Sequence, residues 1–174
     1  MKTRLLKVEI GYEHDVVLFQ RARQVAALVG FSAQEQVRIA TAVSEIARNA
    51  FRYAKRGKIE FFILTEPRPT LQMLLTDQGS GIPNLETILA GKYVSRTGMG
   101  LGILGAKKLM DQFEIESNSH GTAVLLEKFL PHHDNEFDAV FFAHFAEELS
   151  GQPSSEPFVE LQQQDQELLA ASRN

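Results

Sequence analysis

Residues 74–82 read LLTDQGSGI: an apolar run breaks into an acid and then two glycines one residue apart. Asp77 ends a strand, while Gly79 and Gly81 remove side chains where the backbone must bend or a flat ligand must come close. A carboxylate at such a strand end can accept from an exocyclic amine, and burial makes that bond selective because a ligand without the donor strands the acceptor. A glycine-rich turn between strand and loop accounts for the same residues.

The flanking sequence places this stretch in an alternation of strands and helices. Upstream, KIEFFILT (58–65) and TLQMLLTD (70–77) read as strands separated by EPRP (66–69), whose prolines forbid continued pairing. Before them TRLLKVEI (3–10) reads as a first strand. Val16, Phe19, Ala22, Ala26 and Val29 have the spacing of one helix face, ended by Gly30. Ser32 caps a second helix, with Glu35 three residues on as in a capping box, and that helix runs to about Ala54. Downstream come a short helix in NLETILA (84–90), a longer one in LGILGAKKLMDQF (101–113), and two strands, FEIES (113–117) and TAVLLEKF (122–129), before Pro131 closes the domain. No internal repeat is visible, and the order fits a two-layer α/β or α+β sandwich.

Composition narrows the chemistry. The 174 residues allow one domain with room for an appendage. The chain has no cysteine, so disulfides, thiolate metal sites and cysteine nucleophiles are excluded. No apolar run approaches a membrane span and the N-terminus lacks a signal-peptide core, so a cytoplasmic protein without a membrane partner is expected. Residues 1–131 hold 17 Lys or Arg against 13 Asp or Glu, whereas residues 132–174 hold 1 against 9. The mildly basic part suits a phosphorylated ligand, but it lacks the basic runs interleaved with aromatics that nucleic acid would call for. None of the five histidines falls in a motif; His14, His120, His132, His133 and His144 read as surface or turn residues.

Two further stretches carry chemistry. On the second helix Glu45, Arg48, Asn49 and Arg52 share a polar stripe, with Ile39, Val43, Ile46 and Ala50 behind it. That pattern makes either a solvated face or one wall of a ligand site. Asn is a poor helix former, and its amide oxygen is a suitable hard ligand for Mg²⁺. In RTGMGLGILGAKKLM (96–110), Gly98, Gly100 and Gly102 alternate just before a helix, whose first amides suit phosphate, although a flexible hinge uses glycines in the same way. It is neither a Walker A loop nor a dinucleotide fingerprint. Gly121 and Thr122 open the last strand, where turn chemistry explains them.

An acid and Asn on a helix, DxGxG after a strand, GxGLG before a helix and GT before a strand, in that order, resemble the GHKL ATPase superfamily, which includes gyrase and the histidine kinases. The resemblance covers residues 3–131. RIATAVSEIARNAFRYA, DQGSGI and GMGLGILGAKKLMDQFEIES look most like the RsbT-type switch kinases, small serine/threonine kinases that regulate bacterial sigma factors. The resemblance implies a Bergerat-type α+β fold, a two-layer sandwich with a mixed, mostly antiparallel sheet covered on one face by helices. It implies ATP and Mg²⁺ as cofactors, with Asn49 holding the metal and Glu45 as general base for the attacking hydroxyl. Arg48 then faces phosphate or a docked partner. Asp77 recognises the adenine amino group, Gly79 and Gly81 admit the nucleotide, and Thr122 supports the Asp77 end of the pocket. Gly98, Gly100 and Gly102 wrap the phosphates, with amides of the helix from Leu101. A STAS-type regulatory protein is the implied substrate.

Departures from the pattern concern the C-terminus. The chain continues beyond the expected domain (1–131) with an acidic extension or linker (132–174). Phe137 to Leu149 form an amphipathic stretch, whose Phe137 to Phe145 face covers part of the sheet or binds a partner. VELQQQDQELLAASRN (159–174) resembles the connecting helix before a histidine-kinase dimerisation domain, or else is an acidic disordered tail. A nucleotide-dependent interaction module without transferase activity and an accessory domain of a hybrid histidine kinase therefore stand as alternatives. The edge of the first strand could pair in a homodimer.

Overall fold

In the computed structural model, residues 1–11, 15–53, 56–83, 85–90, 99–131 and 137–150 are described, with backbone only at 10–11, 15, 49–53 and 99–101. Strands β1 (Lys2–Gly11), β2 (Arg56–Leu64), β3 (Thr70–Asp77), β4 (Gln112–Asn118) and β5 (Gly121–Phe129) form one sheet in the order β1-β2-β3-β5-β4. The helices are α1 (Asp15–Leu28), α2 (Ala33–Tyr53), α3 (Leu85–Leu89), α4 (Met99–Leu109) and α5 (Ala139–Ser150). This is the α+β class expected from sequence. In place of the expected mixed sheet, all four ladders are antiparallel. The helical crossover after β3 delivers β4 one position away, and β5 returns between them antiparallel to both, so no parallel pair touches.

Register explains which face of the sheet is buried. Phe61 pairs with Met73 and Met73 with Leu126, while Ile59 pairs with Leu75 and Leu75 with Val124. With period two, these residues share one face, and all are buried. Helix α2 packs on β2, β3 and β5, and α1 and α4 pack on α2. Ile39, Val43 and Ile46 face the core, whereas the Ala50 side chain lies outside the described residues. The other face carries Lys58, Glu60, Gln72, Thr76 and Glu127 among scattered apolar residues.

Local signals set the helix ends. The Phe31 N–H donates to Ala26 O (3.0 Å) and the Gly30 N–H to Ala27 O (3.1 Å), a Schellman closure of α1 that needs Gly30 at φ 102°. The next helix starts at once, with Ser32 Oγ accepting the Glu35 N–H (3.3 Å). The expected face of α1 is rotated in the structure. Leu18, Ala22, Val25, Ala26 and Val29 are buried, as is Arg21, which donates to Gln24 Oε1 (3.0 Å), while Val16 is 63% exposed. Four consecutive apolar residues, Val16 to Phe19, leave the helical phase undetermined, and packing against α2 selects Leu18.

Glu35 does more than cap. Its carboxylate pairs with Arg38 (2.7 Å) and Lys128 (3.1 Å), and Lys128 Nζ also donates to Leu109 O (3.2 Å). Lys128 therefore ties the first turn of α2 to the last turn of α4 and meets the negative end of α4. Burial pushes the Glu35 carboxyl up, but Lys128 and Arg38 outweigh it and hold the group below its usual range. A depressed acid contributes stability above its unfolded pKa, about 4.3, that is lost as pH falls through the folded value. Lys128→Met is expected to cost about 1–2 kcal/mol at neutral pH. Urea unfolding at pH 7 and pH 3 checks this, with the gap between native and variant narrowing in acid.

Helix α5 lies in the segment read as an extension. It contacts β1, its Phe145 and Leu149 are buried in the common core, and Phe137, Phe141 and Phe142 pack around them. Phe137 and Phe141 meet edge to face at 4.9 Å.

Candidate functional site

The end of the sheet assembles one group of motif residues. Register aligns Asp77 on β3 with Thr122 on β5, and Thr122 with Ser117 on β4. All three project on the face that also carries Leu75, Val124 and Ile115. Asp77 Oδ1 accepts the N–H groups of Gly79 (2.9 Å) and Thr122 (3.3 Å). The first bond closes an Asx turn that starts the glycine loop. No described residue bonds the second carboxylate oxygen. Burial raises the Asp77 pKa, opposed by the Gly79 and Thr122 hydrogen bonds. A half-buried carboxylate with one oxygen anchored and the other unpartnered among the described residues is a ready acceptor for a ligand N–H.

Two glycines permit this geometry, though for a reason the sequence did not give. Gly81 has φ 92°, and a Cβ there would run into the Asn118 carbonyl; Gly121 has φ 146°, and its Cβ would meet the Asp77 carbonyl. Both therefore serve backbone-on-backbone approach between the glycine loop and the β4–β5 hairpin. The loop is also fastened by a side chain absent from the sequence reading. Ser117 Oγ accepts the Ile82 N–H (2.7 Å) and shares a hydrogen bond with Thr122 Oγ1 (2.8 Å). A serine in a strand emits no local signal; only register reveals it.

The second group lies on α2. Glu45 and Arg48, three residues apart, form an ion pair at 3.1 Å, with Glu45 the less exposed partner. Asn49 follows on the same helix; its side chain, like that of Arg52, lies outside the described residues. The third group is the start of α4. Gly100, Leu101 and Gly102 lie inside the helix, which begins at Met99, and Gly98 lies outside the described residues. The first amides of a helix have no partner within it, so those of α4 can face an anion. Because α2 packs against α4 and against β3 and β5, it joins the elements that carry all three groups. Of the histidines, His120 sits exposed in the β4–β5 turn and His144 is exposed on α5; His14, His132 and His133 lie outside the described residues. Among the described residues no helix is long and apolar enough to cross a membrane.

The chain belongs to the histidine kinase-like ATPase domain family, whose model matches residues 12–128. It is 36% identical over 126 residues to the serine/threonine-protein kinase RsbT of Bacillus subtilis (strain 168), covering 71% of this chain and 95% of that protein. It is also similar to the histidine kinase domain of the blue-light activated histidine kinase from Erythrobacter litoralis EL346, with 18% identity and a TM-score of 0.45 over 67% of this chain and 64% of that one.

Proposed function

We propose that this protein is a Mg·ATP-dependent serine/threonine kinase of the switch type, acting on a STAS-like regulatory partner. The observation that carries the nucleotide reading is Asp77, one oxygen held by two backbone amides and the other without a bond from any described residue. The kinase reading rests on the similarity to a serine/threonine-protein kinase and on Glu45, since a module that only bound nucleotide would need no base.

In this mechanism Asp77 and Thr122 orient the adenine, with Gly79 and Gly81 admitting it. Gly98, Gly100, Leu101 and Gly102 contribute backbone amides to the phosphates. Asn49 would hold Mg²⁺ through its amide oxygen, and the ion would supply positive charge to the phosphates. Glu45, its direction along α2 fixed by Arg48, accepts the proton of the partner's Ser or Thr hydroxyl. The hydroxyl oxygen bonds to the γ-phosphorus, the bond to the β-phosphate oxygen breaks, and ADP departs. Arg48 faces phosphate or the docked partner.

The test is equilibrium titration with Mg·ATP followed by transfer of labelled γ-phosphate to STAS proteins encoded nearby. Binding with label incorporated at a Ser or Thr is the expected result. Binding with no labelled partner would favour an interaction module in place of a kinase.

A further inference from the structure

We propose that Ser117 is a positioning residue for nucleotide recognition. It sets the glycine loop and the Thr122 hydroxyl in the geometry that selects adenine. This inference rests on the nucleotide reading of the Asp77 site. Ser117 is the third member of the cross-strand row Asp77–Thr122–Ser117, and its single oxygen serves two structures at once. It accepts the Ile82 N–H at 2.7 Å, pinning the far end of the loop whose near end is pinned by Asp77 and Gly79 at 2.9 Å. It also meets Thr122 Oγ1 at 2.8 Å, and Thr122 in turn donates its backbone N–H to Asp77.

Two hydroxyls that share one hydrogen bond leave one proton uncommitted. Either hydroxyl can donate in that bond; with Ser117 as the donor, the Thr122 proton is left as a donor toward the pocket. Asp77 offers an acceptor and Thr122 a donor, the complement of the amine and ring nitrogen along one edge of adenine; guanine presents the opposite order. Packing cannot substitute for the Ser117 hydroxyl. On its outer side the loop borders an open cleft of about 410 Å³ lined by residues 80–83 and 117–119. The close approach of Gly81 to the Asn118 carbonyl likewise requires the hairpin and loop to stay in register.

The experiment measures Mg·ATP and Mg·GTP binding for the native protein, Ser117→Ala, Ser117→Thr and the hairpin-tip control Ser119→Ala. It is combined with amide exchange at residues 79–82 and with transfer rates at saturating ATP. Ser117→Ala is expected to weaken ATP binding about tenfold and to lower the ATP-to-GTP preference by a similar factor. Exchange at Ile82 accelerates, while the saturated rate stays within about twofold, because the chemical step is remote from the adenine. Ser117→Thr keeps the hydroxyl and restores the preference; Ser119→Ala behaves as native. Should Ser117→Ala fold poorly, Ser117→Cys, slightly larger and with weaker hydrogen bonds, shows the same changes at smaller amplitude. Native binding of ATP with unchanged preference and exchange in Ser117→Ala would overturn this inference alone. A loss of saturated rate in step with binding would reduce Ser117 to a general structural role. A native protein that binds no ATP overturns the nucleotide reading, and this inference with it.

Discussion

Glu45→Gln is expected to transfer phosphate about 10²–10⁴-fold more slowly than the native protein, with its affinity for Mg·ATP within about twofold. The choice of glutamine follows from the geometry. Glu45 accepts from Arg48 through one oxygen at 3.1 Å, and a glutamine oxygen can accept the same bond at the same length of side chain. What the substitution removes is the capacity to take a proton. Alanine would remove the Arg48 contact too, and an altered affinity would then be ascribed to the wrong cause. Single-turnover transfer to the partner, followed from preformed enzyme·ATP, isolates the chemical step from binding and release. Equal rates for Glu45→Gln and native protein would exclude Glu45 as the base and leave the alignment of hydroxyl and phosphate as the whole of catalysis. A parallel loss of affinity would instead put Glu45 in the binding of nucleotide or metal.

The elements themselves were readable because their signals are local. Ser32 before a helical pattern, Gly30 after one and Pro131 beyond the last strand each act within a few residues, and the structure uses Ser32 and Gly30 as helix boundaries. Where the information is long-range the sequence reading fails in identifiable ways. The face of α1 could not be phased from Val16, Val17, Leu18 and Phe19, since any of several faces is apolar until α2 packs against one. The all-antiparallel pairing depends on where β5 inserts, which no residue of β5 encodes by itself. Asp77 stands out in the sequence because an acid before GxG is unusual, and in the structure burial raises its pKa. Gly81 reads as a turn or ligand glycine and Gly121 as a turn glycine, and at both a neighbouring backbone carbonyl stands where a Cβ would go. Ser117 was passed over because its importance exists only across three strands.

Asp77→Asn is expected to weaken ATP binding about 10²–10³-fold while making the protein more stable at neutral pH. The two effects have one origin. The Gly79 and Thr122 amides both need an acceptor at the Oδ1 position, so an asparagine keeps its oxygen there and its NH₂ takes the place of the open carboxylate oxygen. That NH₂ then faces the adenine amino group, donor against donor. For stability the sign runs the other way. Burial raises the folded pKa of Asp77 more than its two amide partners lower it. A raised acid contributes stability below its unfolded pKa, about 3.9, and that contribution is lost as pH rises through the folded value. Above that window the native protein carries a half-buried charge that asparagine lacks, so the variant melts higher at pH 7 and the difference closes toward pH 3. Calorimetric melting across this range, with ATP titration at pH 7, measures both. A variant that is less stable at neutral pH, or that binds ATP as the native protein does, would remove Asp77 from the centre of the site. Gain of stability with loss of binding is the signature of a carboxylate kept for its ligand and not for the fold.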